Sequence, residues 1–139
     1  MSSGLITFTL GERDYATLLS SVREVVRLEG LADLPGMSRP LAGVIDLRGT
    51  ALPVLDLRIS PEPGDRGDVL VLEGESDGAL VGVAVDRVRA VVEAGELAKG
   101  GGPRGGELPG YVVEVLRGAD GPVFLVDLGL MVASARTAA

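Results

Sequence analysis

Residues 43 to 58 read Gly-Val-Ile-Asp-Leu-Arg-Gly-Thr-Ala-Leu-Pro-Val-Leu-Asp-Leu-Arg. Two apolar arms flank a Gly49-Thr50 turn, and each arm ends in Asp-Leu-Arg. Glycine tolerates the positive φ that a tight reversal needs, so the stretch predicts a β-hairpin. Side chains alternate along a strand, which puts Ile45 and Leu47 on one face and Asp46 and Arg48 on the other. The second arm repeats this with Leu55 and Leu57 against Asp56 and Arg58. A hairpin with so apolar a face must be covered, and its charged outer face is the one offered to a partner. Pro53 cannot donate to a ladder, so it predicts an edge or a bulge within the second arm.

The rest of the 139-residue chain repeats this scale of structure. Hydrophobic residues make up 46% of it but aromatics only 3%, so the core must be built from Val, Leu, Ile and Ala. Val recurs in short runs separated by Gly, Pro and Asp, and such runs favour many short strands. Leu5–Leu10 reads as a strand, Gly11–Asp14 as a turn, and Tyr15–Ser21 is ambiguous between a strand and a helical turn. Val22–Leu28 carries valines on both faces, as a strand covered on both sides does. Leu34-Pro35-Gly36 ends that segment, and Pro40-Leu41-Ala42 predicts a short helical turn. Ser60–Gly67 is a Pro/Gly/Asp-rich loop. Asp68–Glu73 and Leu80–Asp86 form a second hairpin, and Val88–Val92 continues after a kink near Arg87. Gly95–Gly110 is a glycine-rich, flexible loop. Tyr111–Leu116 and Pro122–Asp127 make a last hairpin, Leu128–Ala135 a short terminal helix, and Arg136–Ala139 a frayed end. The whole is expected to be all-β with one or two short helices, as a single domain over 1–139. Periodicity by itself does not choose between one barrel and two.

Composition also limits the chemistry. The net charge of -7 and the single lysine, Lys99, argue against nucleic acid, which needs clustered cations to displace counterions. There is no cysteine and no histidine, which removes disulfides, thiolate metal sites and most nucleophilic catalysis. Gly100–Gly105 matches a dinucleotide-binding glycine pattern, but Pro103 interrupts it and no helix follows to hold a pyrophosphate. Gly74–Gly78 matches a nucleophile-elbow pattern, but Ser76 lies between two strand-like runs and has no histidine as its base. Carboxylate chemistry by Asp46 and Asp56 is the remaining enzymatic reading. The chain has no Trp, Asn or Gln to line a substrate pocket, so an enzyme is not expected. No segment approaches the ~20 apolar residues that span a bilayer, and the N-terminus lacks a signal peptide's basic and apolar regions. A cytoplasmic protein without cofactor or metal is the expectation.

The order of segments carries a family resemblance. Leu5–Gly11, Tyr15-Ala16, Val22-Arg-Glu24-Val25, Leu34-Pro35-Gly36, the hairpin, Asp68–Leu72, Val81–Val88 and Gly118–Asp127 together resemble the CheW-like coupling proteins of bacterial chemosensory arrays. The resemblance runs over nearly the whole chain, and the 43–58 hairpin is its strongest motif. It implies two small SH3-like five-stranded β-barrels packed side by side, with a groove between them. It also implies a non-catalytic adaptor, recruited to membrane-associated receptor arrays. Such an adaptor joins the helical hairpin of a chemoreceptor signalling tip to the regulatory domain of a CheA-type histidine kinase.

Carried onto this chain, the family's receptor site falls on Glu24 and Arg48, with Asp46 beside them and Val22, Gly43, Val69 and Val88 as apolar groove positions. Each has a plainer reading. Glu24 is otherwise a solvated carboxylate, Arg48 a strand-end cation paired with Asp46 or Asp56, and the four apolar positions ordinary core. No kinase-contact residue is assigned. Asp46 departs from the Asn usual there, and the terminal amphipathic segment is reduced to Leu128–Val132. These departures leave open a degenerate module that binds one partner only, in a pathway of surface motility or development.

Overall fold

The computed structural model describes residues 4–32, 41–58, 66–74, 78–99 and 108–137. The turn at 34–36, Pro40, most of the loop at 60–67, residues 75–77 and the 100–107 part of the glycine-rich segment lie outside the described residues.

Among the described residues the chain forms eleven strands and one α-helix. They are β1 (Gly4–Leu10), β2 (Arg13–Leu18), β3 (Glu24–Arg27), β4 (Leu41–Leu47), β5 (Thr50–Asp56), β6 (Asp68–Glu73), β7 (Leu80–Val85), β8 (Arg87–Glu93), β9 (Ala98–Lys99), β10 (Val112–Gly118), β11 (Gly121–Val126) and α1 (Leu128–Thr137). Tyr15–Ser21 resolves as the end of β2 followed by a 3₁₀ turn at Leu19–Ser21. Leu41 and Ala42 belong to β4 rather than to a helical turn. The terminal helix runs on to Thr137.

The strands make two sheets, in the orders β8-β1-β2-β11-β10-β9 and β3-β6-β7-β5-β4. We call them lobe 1 and lobe 2. A bridge from Ala32, just past β3, to Val44 of β4 joins the two edges of the lobe 2 sheet. In lobe 1 the edge strands β8 and β9 are consecutive in the chain, so the backbone itself runs from one edge to the other. Each lobe contains one parallel pair, β2 with β11 and β5 with β7. With β8 and β9 together taking the place of β3, and β10, β11, β1 and β2 those of β4, β5, β6 and β7, the six strands of lobe 1 repeat the pairing of the five of lobe 2, circularly permuted. The chain therefore lays down one hairpin of lobe 1, builds lobe 2, and returns to finish lobe 1.

Packing explains the apolar runs. Leu5, Ala16, Leu116 and Val123 fill lobe 1. Ile45, Leu47, Leu52, Val54, Val69, Val71 and Ala84 fill lobe 2. A third and larger cluster lies between the lobes, where Ile6, Phe8 and Leu10 meet Leu55, Leu70, Leu72, Val83 and Val85 under Met131 and Val132 of α1. Strands β6 and β7 thus bury alternate residues in different cores, which is why Val69–Leu72 and Val81–Val85 read as continuous apolar runs. Gly82 lies where a Cβ would come 2.7 Å from Val69 Cγ1. The strand at 22–28 was expected to be covered on both sides, but Val25 is exposed while Val26 packs towards the lobe 2 core.

Carboxylates pin the lobes together. Val88 N donates to Asp68 Oδ2 at 2.8 Å, and Gly11 N to Asp86 Oδ2 at 2.6 Å. Asp68 belongs to lobe 2, Val88 and Gly11 to lobe 1, and Asp86 to the crossing between them.

Candidate functional site

The β4–β5 hairpin forms where its sequence predicts, but its turn is shifted by one residue. Leu47 pairs with Thr50, so the two central residues are Arg48 and Gly49. Both have positive φ, 49° and 87°. This combination matches a two-residue hairpin of the kind that twists with its strands. Glycine adopts it freely, but Arg48 does so at a steric cost and is the one non-glycine residue with positive φ among the described residues. Asp46 offsets that cost locally, since its Oδ1 accepts the Gly49 N–H at 3.0 Å.

The turn delivers Arg48 to Glu24. Arg48 Nη1 donates to Glu24 Oε1 at 2.9 Å and Nη2 to Oε2 at 2.6 Å, a two-pronged guanidinium–carboxylate pair. The hydrogen bond from Arg48 holds the Glu24 carboxyl below the ordinary glutamate range, and the same bond raises the guanidinium. Beside it Arg23, just before β3, pairs with Glu73 at the end of β6. In the sheet order β3 and β4 are opposite edges, joined in the backbone by the Ala32–Val44 bridge. The Glu24–Arg48 pair is a second fastening between β3 and the β4–β5 hairpin. Sequence reasoning paired Arg48 with Asp46 or Asp56; the structure pairs it with neither, because β3 brings a better-placed carboxylate.

The remaining expected positions divide by burial. Val22 and Val88 are half-buried and pack against the inter-lobe core, at the junction of the lobes. Gly43 is buried in β4 beside a bulge, and Val69 is fully buried inside lobe 2. The side chain of Val69 faces the lobe 2 core.

The second Asp-Leu-Arg end behaves differently from the first. Asp56 and Arg58 are 2% and 6% exposed at their side chains, so this end has no charged outer face. Arg58 Nε and Nη2 each donate to Asp56 at 2.9 Å, and Arg58 Nη1 donates to the Arg66 carbonyl at 2.6 Å. The pair is structural and ties the end of β5 to the start of β6. It also disposes of the carboxylate-pair reading. Asp46 lies opposite Ala51, five residues along β5 from Asp56, a separation of roughly 17 Å at strand spacing. Among the described residues no cluster of acidic side chains is placed to hold a metal ion.

Two surface features were not legible in the sequence. A cavity of about 420 Å³ lies at the lobe junction, lined by Ser20, Ser21, Arg23, Leu72, Glu73 and the start of α1. Lobe 1 also exposes apolar side chains, with Val91 60% and Val113 65% accessible. Both are valines in strands, and valine by itself carries no sign of which face it will present.

Comparison with known proteins follows the same lines. A family model described as a CheW-like domain matches residues 4–136. The probable chemotaxis protein CheW of Rhizobium etli is 30% identical over 91 residues, 63% of this chain and 59% of that protein. The chemotaxis protein CheW of Treponema pallidum is 27% identical over 97 residues, 63% of this chain and 56% of that one. The matches thus span less than two thirds of the length of these curated relatives. The crystal structure of the scaffolding protein TtCheW from Thermoanaerobacter tengcongensis superposes with a TM-score of 0.74, covering 94% of this chain and 88% of that one, at 22% identity. That likeness is one of fold.

Proposed function

The chain belongs to the CheW-like domain family, and from that premise we propose that it is a non-catalytic adaptor coupling a chemoreceptor to a CheA-type histidine kinase. The observation that carries this reading is the Glu24–Arg48 pair, held on an exposed turn whose own backbone is left-handed at Arg48. An exposed ion pair contributes little to stability, yet here it is built from two strands and a strained turn. Such a feature suits recognition, where rim charges set register and partner choice more than affinity.

In this reading the receptor tip, a pair of antiparallel helices, lies along the lobe junction. Val22 and Val88 supply its apolar contact, and Glu24, Arg48 and Asp46 its charged rim. Gly43 and Val69 support the lobe 2 wall from inside. Val91 and Val113, the most exposed of the large apolar side chains on lobe 1, are the candidates for the kinase contact. The protein works at the cytoplasmic face of receptor arrays. Among the described residues no helix is long and apolar enough to cross a membrane.

The test is a pair of binary affinities, one for a soluble receptor tip and one for a kinase regulatory domain. Binding to both supports the adaptor. Binding to one alone reduces the chain to a single-partner module, and binding to neither overturns the proposal.

A further inference from the structure

Five charged side chains gather where β3, the end of β6 and the β4–β5 turn meet: Arg23, Glu24, Asp46, Arg48 and Glu73. Four are matched. Arg23 pairs with Glu73, and Glu24 engages Arg48 with both carboxylate oxygens. Asp46 is the exception among the described residues. Its Oδ1 accepts the Gly49 N–H, its Oδ2 has no hydrogen-bond or ionic partner, and it is exposed.

The turn does not need that charge. A carbonyl oxygen accepts the Gly49 N–H as well as a carboxylate does, and Asn serves such turns as readily as Asp. What the carboxylate adds is one uncompensated negative charge and one open acceptor, beside a cation already committed to Glu24. The charges of these five described residues sum to one negative. A carboxylate accepts hydrogen bonds and donates none, so it favours a partner group that is cationic and rich in donors.

We infer that Asp46 sets the charge preference of the receptor site by selecting a helical tip that presents a Lys or Arg to this rim. The inference rests on the adaptor reading above and names the chemistry its partner must carry. Asp46 thereby takes two separate roles: one oxygen holds the turn that aims Arg48, and the other faces the partner.

The test compares wild type, Asp46→Asn and Asp46→Ser for binding to a soluble receptor-tip helical hairpin at low and high salt, with melting temperatures measured in parallel. Both replacements keep an oxygen able to accept the Gly49 N–H and remove the charge. The expected result is an unchanged melting temperature and a loss of affinity of about two- to five-fold at low salt, the scale of one exposed charge pair. That loss shrinks at high salt, as exposed pairs are screened. Neutralising the basic residues of the tip removes the difference between wild type and Asp46→Asn. Equal or tighter binding by Asp46→Asn at low salt overturns the inference and leaves the adaptor reading standing. So does a large difference between Asn and Ser, which assigns the effect to turn geometry. Failure of the wild-type chain to bind any tip or kinase domain overturns both.

Discussion

Arg48 and Glu24 lie 24 residues apart in the chain and meet through two parallel hydrogen bonds of 2.9 and 2.6 Å. The contact is exposed, with 69% of the Arg48 side chain and 32% of the Glu24 side chain accessible. Its geometry is that of a strong pair and its setting that of a weak one. The consequence is a separation of roles that substitution can resolve.

Arg48→Glu places two carboxylates against each other where a pair stood. Receptor-tip binding is expected to fall sharply while the melting temperature stays near that of wild type, because exposed pairs add little to folding. The charge-swapped double variant Glu24→Arg/Arg48→Glu restores the pair but not the binding. Loss of cooperative unfolding in Arg48→Glu shows instead that the fastening between β3 and the β4–β5 hairpin is structural.

Acid should weaken that fastening. The Glu24 carboxyl is held below its ordinary value of 4.5 by the Arg48 hydrogen bond. A depressed carboxylate contributes stability that is present above the unfolded value and lost as pH falls through the folded one. The difference in melting temperature between wild type and Glu24→Gln should therefore be constant from neutral pH down to about 4.5 and shrink below it. A difference that grows on acidification contradicts the assignment.

The Asp56–Arg58 pair is buried, and there the energies are larger. Removing one member strands the other charge in the interior, at a cost of about 3–5 kcal/mol. Arg58→Ala should show that loss in chemical denaturation, with the Arg66 carbonyl also losing the hydrogen bond from Arg58 Nη1. The double variant Asp56→Leu/Arg58→Met should recover much of it, since replacing a whole buried pair by apolar groups is often close to neutral.

Val69 gives the contrast within the expected receptor site. It is fully buried and packs in the lobe 2 core. Val69→Ala removes two methyl groups and leaves a small cavity, for a loss of about 2–3 kcal/mol in stability. Receptor affinity, corrected for the folded fraction, should not change. Val88→Ala, at the half-buried lobe junction, should lower receptor affinity with a smaller loss of stability.

Tyr15 stacks on Phe8 at 5.6 Å and contacts Phe124 at 5.7 Å between centroids. Burial raises its phenol above the ordinary 10.0, with Tyr111 adding to the shift. A raised acid contributes stability that is present below the unfolded value and lost as pH rises through the folded one. Wild type should lose stability above pH 10 relative to Tyr15→Phe, as seen by melting temperature across an alkaline series.

Alternation and punctuation in the sequence determined the β character, the 43–58 hairpin and most strand positions. They did so because side-chain period and turn chemistry are local properties. The order of segments carried the family and, through it, the two lobes. Three things were decided by tertiary structure. Arg48 had three carboxylates to choose from, and only the closure of lobe 2, which sets β3 beside the β4–β5 hairpin, brought Glu24 to it. The two Asp-Leu-Arg ends look alike in sequence, but one lies at an exposed turn and the other beneath the start of β6, so one pair is open and the other buried. The apolar runs at 69–72 and 81–85 reveal burial on both faces without saying what covers them. The second face is covered by lobe 1, whose first hairpin lies more than fifty residues earlier in the chain. Contacts at that separation depend on how elements pack, and no local pattern encodes them.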